Sequence, residues 1–249
     1  MIELQNISKV FNKGKVNEVI ALNDISLTIN KEDFVVLVGA NGSGKTTLLN
    51  IIAGAEMSTN GKILITNTDV TRLPEYKRSQ WIARVFQNPL SGTADELSIL
   101  DNFRLAAIRT TKKKLRLGIN EAFKKRVREQ IASLGMGLEN KLEQAMGTLS
   151  GGQRQALTLL MSVMDNSQIL LLDEPTAALD PRSASLILET ADNLIKQYNL
   201  TAVLITHNLK EAQQYGNRLI QMSEGKIRRD LQNAEKKSLQ LQEMFEWFN

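Results

Sequence analysis

The chain of 249 residues contains no cysteine. Disulfides, thiolate metal sites and cysteine nucleophiles are therefore excluded, and the composition suits a reducing compartment. Long apolar runs are missing too, since none approaches the roughly 18 residues that a membrane-spanning helix needs. The N-terminal MIELQNISKVF lacks the basic-then-apolar layout of a signal peptide, so a soluble chain is expected. The net charge is only +4, too small to argue for a nucleic-acid partner. What remains is an ordinary globular composition, long enough to bury a substantial core in one large domain or two small ones.

The stretch from Phe34 to Asn50, FVVLVGANGSGKTTLLN, organises the rest. Phe34 to Val38 form an uninterrupted apolar run, which suits a strand buried on both faces of a parallel sheet. Leu48, Leu49, Ile51 and Ile52 recur at helical spacing just beyond. The loop between them, Gly39-Ala40-Asn41-Gly42-Ser43-Gly44-Lys45-Thr46 and then Thr47, joins a strand to a helix. Backbone N–H groups of such a turn and the positive end of the helix dipole cradle phosphate oxygens, and side chains would block that approach. Lys45 supplies a point charge for the β- and γ-phosphates, and the Thr46 hydroxyl is placed to ligate Mg²⁺. The alternative is a glycine-rich turn with no ligand, which the strand and helix on either side argue against.

Before the loop, Ile2 to Leu4, Lys9 to Phe11 and Val19 to Ile29 predict a small antiparallel sheet. Phe11 sits at a turn, where its ring either packs in the core or stacks on a base. After the loop helix, Gly54 reads as a helix C-terminal glycine and Asn60-Gly61 as a turn before a strand over 62–65. Ile82 to Phe86 form a short apolar strand that delivers Gln87 to a loop. From Leu97 to Met164 the spacing turns helical, first through Ile99, Phe103, Ala106 and Ala107, then through Ala122, Phe123, Val127 and Ile131. Basic runs lie between and within these helices, at Arg109 to Arg116 and Lys124 to Arg128. They are either solvated surface or near anionic headgroups, and no aromatic residues are interleaved to favour nucleic acid.

In Leu149-Ser150-Gly151-Gly152-Gln153, Ser150 is a helix N-cap candidate and the glycines leave N–H groups open, a second anion site or a plain helix start. Ile169 to Leu172 predict a buried strand that carries Asp173 and Glu174 to its carboxyl end, where open α/β sheets place ligands. Asp173 would support Mg²⁺, and Glu174 would polarise a water beside the γ-phosphate. Asp180 precedes Pro181 at a helix start. A strand over 202–205 brings Thr206 and the single histidine, His207, to the same edge. Arg218 to Arg228 read as a hairpin. Leu241, Met244, Phe245 and Phe248 then follow helical spacing, predicting a short amphipathic helix that packs on the domain or meets a partner.

Taken together and in this order, GANGSGKT, Gln87, LSGGQ, ILLLDE, AALD and His207 resemble the ATP-binding subunits of ABC transporters across nearly the whole chain. LSGGQ just ahead of the acidic strand discriminates this family from other phosphate-loop ATPases. The resemblance implies an α/β fold, a RecA-like core (31–90 and 165–230) with an antiparallel β subdomain (1–30), an inserted helical subdomain (91–164) and a C-terminal helix (231–249). It implies ATP and Mg²⁺ as ligands, and a head-to-tail dimer that sandwiches each ATP between one phosphate loop and the LSGGQ of the second copy. Phe11 then corresponds to the aromatic that stacks on adenine, where Tyr is commoner. Gln87 would link Mg²⁺ and the attacking water to the membrane subunit. Ser150, Gly151 and Gly152, with Gln153, would meet the opposite γ-phosphate, Asp180 would communicate across the dimer, and His207 would hold the γ-phosphate and order Glu174. Ala177 departs from a common Ser, and the helix after LSGGQ is less basic than in many importers. Neither departure removes a catalytic group.

NKGKVNEVIAL, VFQNPLSGTA and LSGGQRQALTLLM are further similar to ATPases of a bacterial importer group assigned to tryptophan and tyrosine. This likeness implies transmembrane permease subunits, an extracytoplasmic solute-binding protein and a peripheral place on the cytoplasmic face of the cell membrane, with no nucleic acid. The alternatives are an exporter or lipoprotein-releasing ATPase, and a soluble ABC ATPase of ribosomes or DNA. The latter usually carries two fused cassettes or a coiled-coil insertion, and this chain has neither.

Overall fold

Strand β3 (Phe34–Val38) lies at the centre of a six-stranded sheet, and all five of its residues are buried. The structure, a computed structural model, describes residues 1–110 and 118–247. On one side β3 pairs in parallel with β8 (Thr201–Ile205), which leads to β7 (Ile169–Asp173) and the edge strand β6 (Ile82–Val85). On the other side it pairs in parallel with β9 (Arg218–Ser223), and β10 (Lys226–Leu231) closes that edge as an antiparallel hairpin arm. Successive side chains of a strand point to opposite faces, so the apolar runs serve two cores at once. Val36, Leu170, Leu172, Ala202 and Leu204 face one core with the helices α5 (Gly151–Ser162), α6 (Pro181–Gln197) and α7 (Leu209–Gln214). Val35, Leu37, Ile169, Leu171 and Val203 face the other, with α1 (Lys45–Ala53) and the second sheet. The α/β fold with a RecA-like core and an antiparallel subdomain is as the sequence implies.

The second sheet runs β2 (Val19–Ile29), β1 (Ile2–Phe11), β4 (Asn60–Ile65), β5 (Thr68–Asp69). Its extent corrects the division drawn at residue 30, because β4 and β5 belong here and not to the core sheet. Asn60-Gly61 is also strand, not turn. The reason is an irregularity in β1 between Gln5 and Ser8, over which β4 must pass. A Cβ at Gly61 (φ 94°) would stand 2.6 Å from the Gln5 carbonyl oxygen, so only glycine fits the crossing.

Between the sheets, α1 ends at Gly54 in the left-handed region, its N–H donating to Asn50 O. Arg78, at the end of α2 (Glu75–Arg78), is wholly buried against this terminus and donates to Ile51 O, Ile52 O, Leu73 O and Thr71 O. Burial lowers its pKa to about 10, yet a cation at a helix C-terminus complements the dipole. The phosphate-loop helix is thus fixed at its far end.

The inserted helices are α3 (Ile99–Ala107) and α4 (Glu121–Ala132), both with side-chain N-caps, Ser98 and Asn120. They pack Phe103, Val127 and Ile131 against α5. Of the first basic run, Arg109 is paired with Asp165 at 2.7 Å, while Lys112 to Arg116 lie outside the described residues.

The spacing predicts one C-terminal helix, and the tail instead forms two, α8 (Asn233–Ser238) and α9 (Leu241–Glu246), after β10 runs on to Leu231. Each has its own capping box, Gln232 with Glu235 and Gln240 with Glu243, so the second N-cap restarts the chain after extended Leu239. Met244 is buried and Leu241 packs on the core, but Phe245 is 56% exposed; Phe248 lies outside the described residues. No helix among the described residues is long and apolar enough to cross a membrane.

Candidate nucleotide site

The phosphate loop leaves β3 at its carboxyl end and enters α1 through Gly44 at φ 99°. Two glycines there are dictated by space. A Cβ at Gly39 would run into the Met222 carbonyl and reach 2.6 Å from Ser43 Oγ, and one at Gly44 would lie 2.6 Å from Ala21 O. Gly42, also at positive φ, and Asn41 are exposed at the loop tip. Ser43 is fastened through its backbone, donating to Ala40 O and accepting from Gly225 N, while its buried Oγ has no hydrogen-bond partner. Buried hydroxyls are almost always paired, so this atom fits a loop shaped to take ligand oxygens.

Lys45 is 5% exposed, and its ammonium donates to Gly39 O at 2.8 Å and Ala40 O at 3.1 Å. Burial holds its pKa below the ordinary lysine value, countered in part by the charges of Glu174 and Asp173. A buried cation facing two carboxylates is a fitting seat for a polyanion accompanied by a divalent metal ion. Thr46 Oγ1 stands 3.5 Å from Asp173 Oδ1, and Thr47 is half-exposed behind it. Among the described residues no cluster of three or more His, Cys, Asp or Glu could cage a metal. Mg²⁺ bound with phosphate needs only one or two protein oxygens beside water, so Thr46 and Asp173 suffice in chemistry and number.

At the end of β7, Glu174 adopts φ 46°, and its N–H donates to Ile205 O of the neighbouring strand. That kink turns the carboxylate towards two partners. His207 Nε2 lies 2.5 Å from Oε1, and Gln87 Nε2 donates to Oε2 at 3.3 Å. His207 is held just beyond β8, where Thr206 donates to Glu211 and accepts from Asn208 N. The structure therefore brings Lys45, Thr46, Asp173, Glu174, His207 and Gln87 to one sheet edge.

Ser150, Gly151, Gly152 and Gln153 join none of those contacts. Ser150 Oγ accepts from Gln153 N, and the Gln153 side chain accepts from Ser150 N, a complete capping box. Ser150 and Gly151 are exposed, whereas Gly152 is buried against α6, where a Cβ would come 2.9 Å from Ser183 Oγ. Gly152 thus answers a packing demand within the chain. Asp180 caps α6 by accepting from Arg182 N and Ser183 N, and the Ser183 hydroxyl and amide hold its carboxyl below the usual range. Phe11 is half-buried at the end of β1, opposite Val19.

Sequence reasoning missed Arg84 and Gln155. Arg84 Nη2 donates to Asp173 Oδ2 at 2.8 Å and its guanidinium lies over Phe86. Buried Gln155 donates to Phe86 O and Pro175 O, tying α5 to the loops that carry Gln87 and Glu174. A charge amid Ile82, Ala83 and Val85, and an amide in the apolar run of α5, were the available signals.

Comparison with known proteins agrees with this geometry. The family model described as ABC transporter matches residues 22–177. The whole chain is 38% identical to a tyrosine transport ATP-binding protein of Clostridioides difficile, covering 98% of it. Over 91% of the chain there is 31% identity to methionine import ATP-binding protein MetN 1 of Staphylococcus aureus, of whose length the match spans 64%. Among solved structures, the dimeric post-hydrolysis state of the ATP-binding cassette MJ0796 bound to ADP and Pi superposes with TM-score 0.80 at 29% identity, covering 94% of this chain and 99% of that one. The ATP-binding cassette MJ1267 gives 0.79 at 26% identity, covering 97% and 95%. A phosphate loop, an acidic strand end and LSGGQ in one chain, joined by these matches, place the protein in the ABC transporter family as one of its ATPases.

Proposed function

We propose that the chain powers import of an aromatic amino acid, hydrolysing Mg·ATP as a head-to-tail pair on the cytoplasmic face of permease subunits. The observation that carries the cargo is the full-length similarity to the tyrosine transport ATP-binding protein. An extracytoplasmic solute-binding protein completes such a system. In favour of the pair is the exposed Ser150 helix end, whose capping side chains bond only to each other, so that it is open to a second copy. In favour of a membrane partner is a groove of about 530 Å³ between the core and the inserted helices, rimmed by exposed Tyr76 and Leu105.

In this reading the loop amides and Lys45 bind the β- and γ-phosphates, and the Phe11 ring takes the base. Thr46 and Asp173 hold Mg²⁺, with Gln87 adjoining; the metal supplies charge neutralisation at the phosphate oxygens. Glu174 accepts a proton from the water that attacks the γ-phosphorus in line, and His207 keeps that carboxylate oriented. Ser150, Gly151 and Gln153 of the second copy offer the N-terminal amides of α5 to the γ-phosphate, charge stabilisation of the oxyanion type. Gly152 allows that helix to sit on α6, and Asp180 fixes the next loop at the same interface.

The test is reconstitution of the chain with its permease and solute-binding protein in vesicles. Tyrosine or tryptophan should stimulate ATP hydrolysis and enter the lumen. Stimulation by methionine instead would move the cargo to the other relative's class, and ATP-driven efflux would overturn import.

A further inference from the structure

We propose that Lys9 is a positioning residue for the nucleobase, setting the Phe11 ring at a fixed place relative to the phosphate loop. This rests on the reading that Phe11 takes the base. Lys9 Nζ stands 4.6 Å from the centroid of the Phe11 ring, a cation–π contact that occupies one face of the ring. The ammonium is itself anchored, donating to Glu56 Oε2 and to Met57 O, both at 2.9 Å, and its side chain is only 13% exposed. Glu56 in turn is tied to the phosphate-loop helix, because the N–H groups of Gly54, Ala55 and Glu56 all donate to Asn50 O in α1. The Lys9 side chain therefore connects the ring to the far end of the helix whose near end cradles phosphate.

Two further hydrogen bonds run parallel to this one, one between backbones and one to a threonine hydroxyl. Thr59 N donates to Ser8 O, and Val10 N donates to Thr59 Oγ1. They tie β1 to the 56–59 segment independently of the Lys9 side chain, so replacing Lys9 leaves that attachment in place. Phe11 is half-buried, and Val19, its cross-strand partner, is exposed. With one face of Phe11 taken by the ammonium, the other is left for the base. The cation also draws π-density to its own side, which favours an electron-rich purine opposite.

The experiment compares ATP with inorganic tripolyphosphate, which has the phosphates and no base, by calorimetric titration of the full chain with Mg²⁺. Lys9→Met should weaken ATP binding about three- to tenfold and leave tripolyphosphate unchanged, with Lys9→Arg restoring most of the loss. Glu56→Gln, which loosens the anchor without removing the cation, should give a smaller loss of the same pattern and serves if Lys9→Met folds poorly. Phe11→Ala runs alongside. If it weakens ATP while Lys9→Met does not, Phe11 binds the base and the role of Lys9 is overturned. Equal weakening of both ligands in Lys9→Met would make Lys9 an ordinary structural residue and overturn the proposal as well. Unchanged ATP affinity in Phe11→Ala would overturn the base reading, and the proposal with it.

Discussion

Glu174 Oε1 and His207 Nε2 stand 2.5 Å apart, joining the ends of adjacent parallel strands β7 and β8. The other carboxylate oxygen accepts from Gln87, so the two oxygens of Glu174 are engaged by side chains from two different loops. A carboxylate held in this way is oriented before the water arrives, and in-line attack depends on such positioning. Replacing it should cost chemistry and spare binding.

Glu174→Gln keeps the shape and the contact to His207 while removing the base. Turnover should fall about 10²- to 10⁴-fold with ATP affinity retained, and an ATP-bound dimer should accumulate on size-exclusion chromatography. Adding Ser150→Arg should dissolve that dimer, since a long side chain at the exposed N-cap obstructs the helix end. A doubly substituted protein that still dimerises would sink the head-to-tail arrangement while leaving Glu174 in place.

Lys45→Ala should abolish hydrolysis and weaken ATP binding, because nothing else among the site residues carries positive charge into the loop. The wild-type residue also predicts a pH dependence. Burial holds the Lys45 ammonium below its ordinary 10.5, and contact with triphosphate oxygens raises it. Between the lowered pKa of the free site and the higher one of the complex, the free protein has lost a proton that the complex keeps, so binding takes up a proton and affinity declines as pH rises through that interval. Titration calorimetry in buffers of different ionisation enthalpy measures that uptake directly. Its absence would mean that Lys45 stays fully charged without nucleotide.

Much of this was legible because the chemistry sits on short, contiguous motifs at strand ends. Phe34 to Val38 and Ile169 to Leu172 are apolar throughout, and runs this short with no polar alternation and turn residues at their ends suit a strand covered on both faces. The residues after them must then emerge at the same edge. What stayed illegible depended on contacts distant in sequence. Nothing near Asn60 shows that β4 crosses the irregularity in β1. Gly152 looked like an anion-binding glycine, and only the approach of Ser183 reveals a packing reason for it. Arg84 pairs with a residue 89 positions away, a relation that no local pattern encodes.

The tail carries its own pH signature. The Lys236 ammonium, on α8, is buried and donates to the carbonyls of Tyr215 and Gly216 just beyond α7. Burial lowers its pKa to about 8 from an ordinary 10.5. Below about 8 both the docked and the undocked tail hold the proton, and pH has no effect through this group. Between about 8 and 10.5 only the undocked tail holds it, so docking strengthens as pH rises through that window. Protection factors over 233–246, taken after dividing out the rise of chemical exchange with pH, should increase across the window, and Lys236→Gln should flatten the trend. A wild-type profile matching the variant's would show that the carbonyls keep Lys236 charged throughout.

Arg84 and Asp173 form an ion pair at 2.8 Å whose side chains are only 10% and 8% exposed. Two opposite charges out of water contribute little net stability as a pair, but removing one strands the other, at a cost of ~3 kcal/mol or more. Arg84→Met should therefore destabilise the chain by about that amount in urea unfolding. Asp173 also faces Thr46 on its other oxygen, where Mg²⁺ is proposed to sit, and a divalent ion there would neutralise the stranded carboxylate. The gain in Tm on adding Mg·ADP should thus be larger in Arg84→Met than in the wild type, although the variant starts lower. Arg84→Lys keeps the charge on a shorter reach and should fall between them. An equal gain in all three proteins would mean that the metal ion and Arg84 do not share Asp173, and the carboxylate would then belong to the packing of β6 on β7 instead of to the metal.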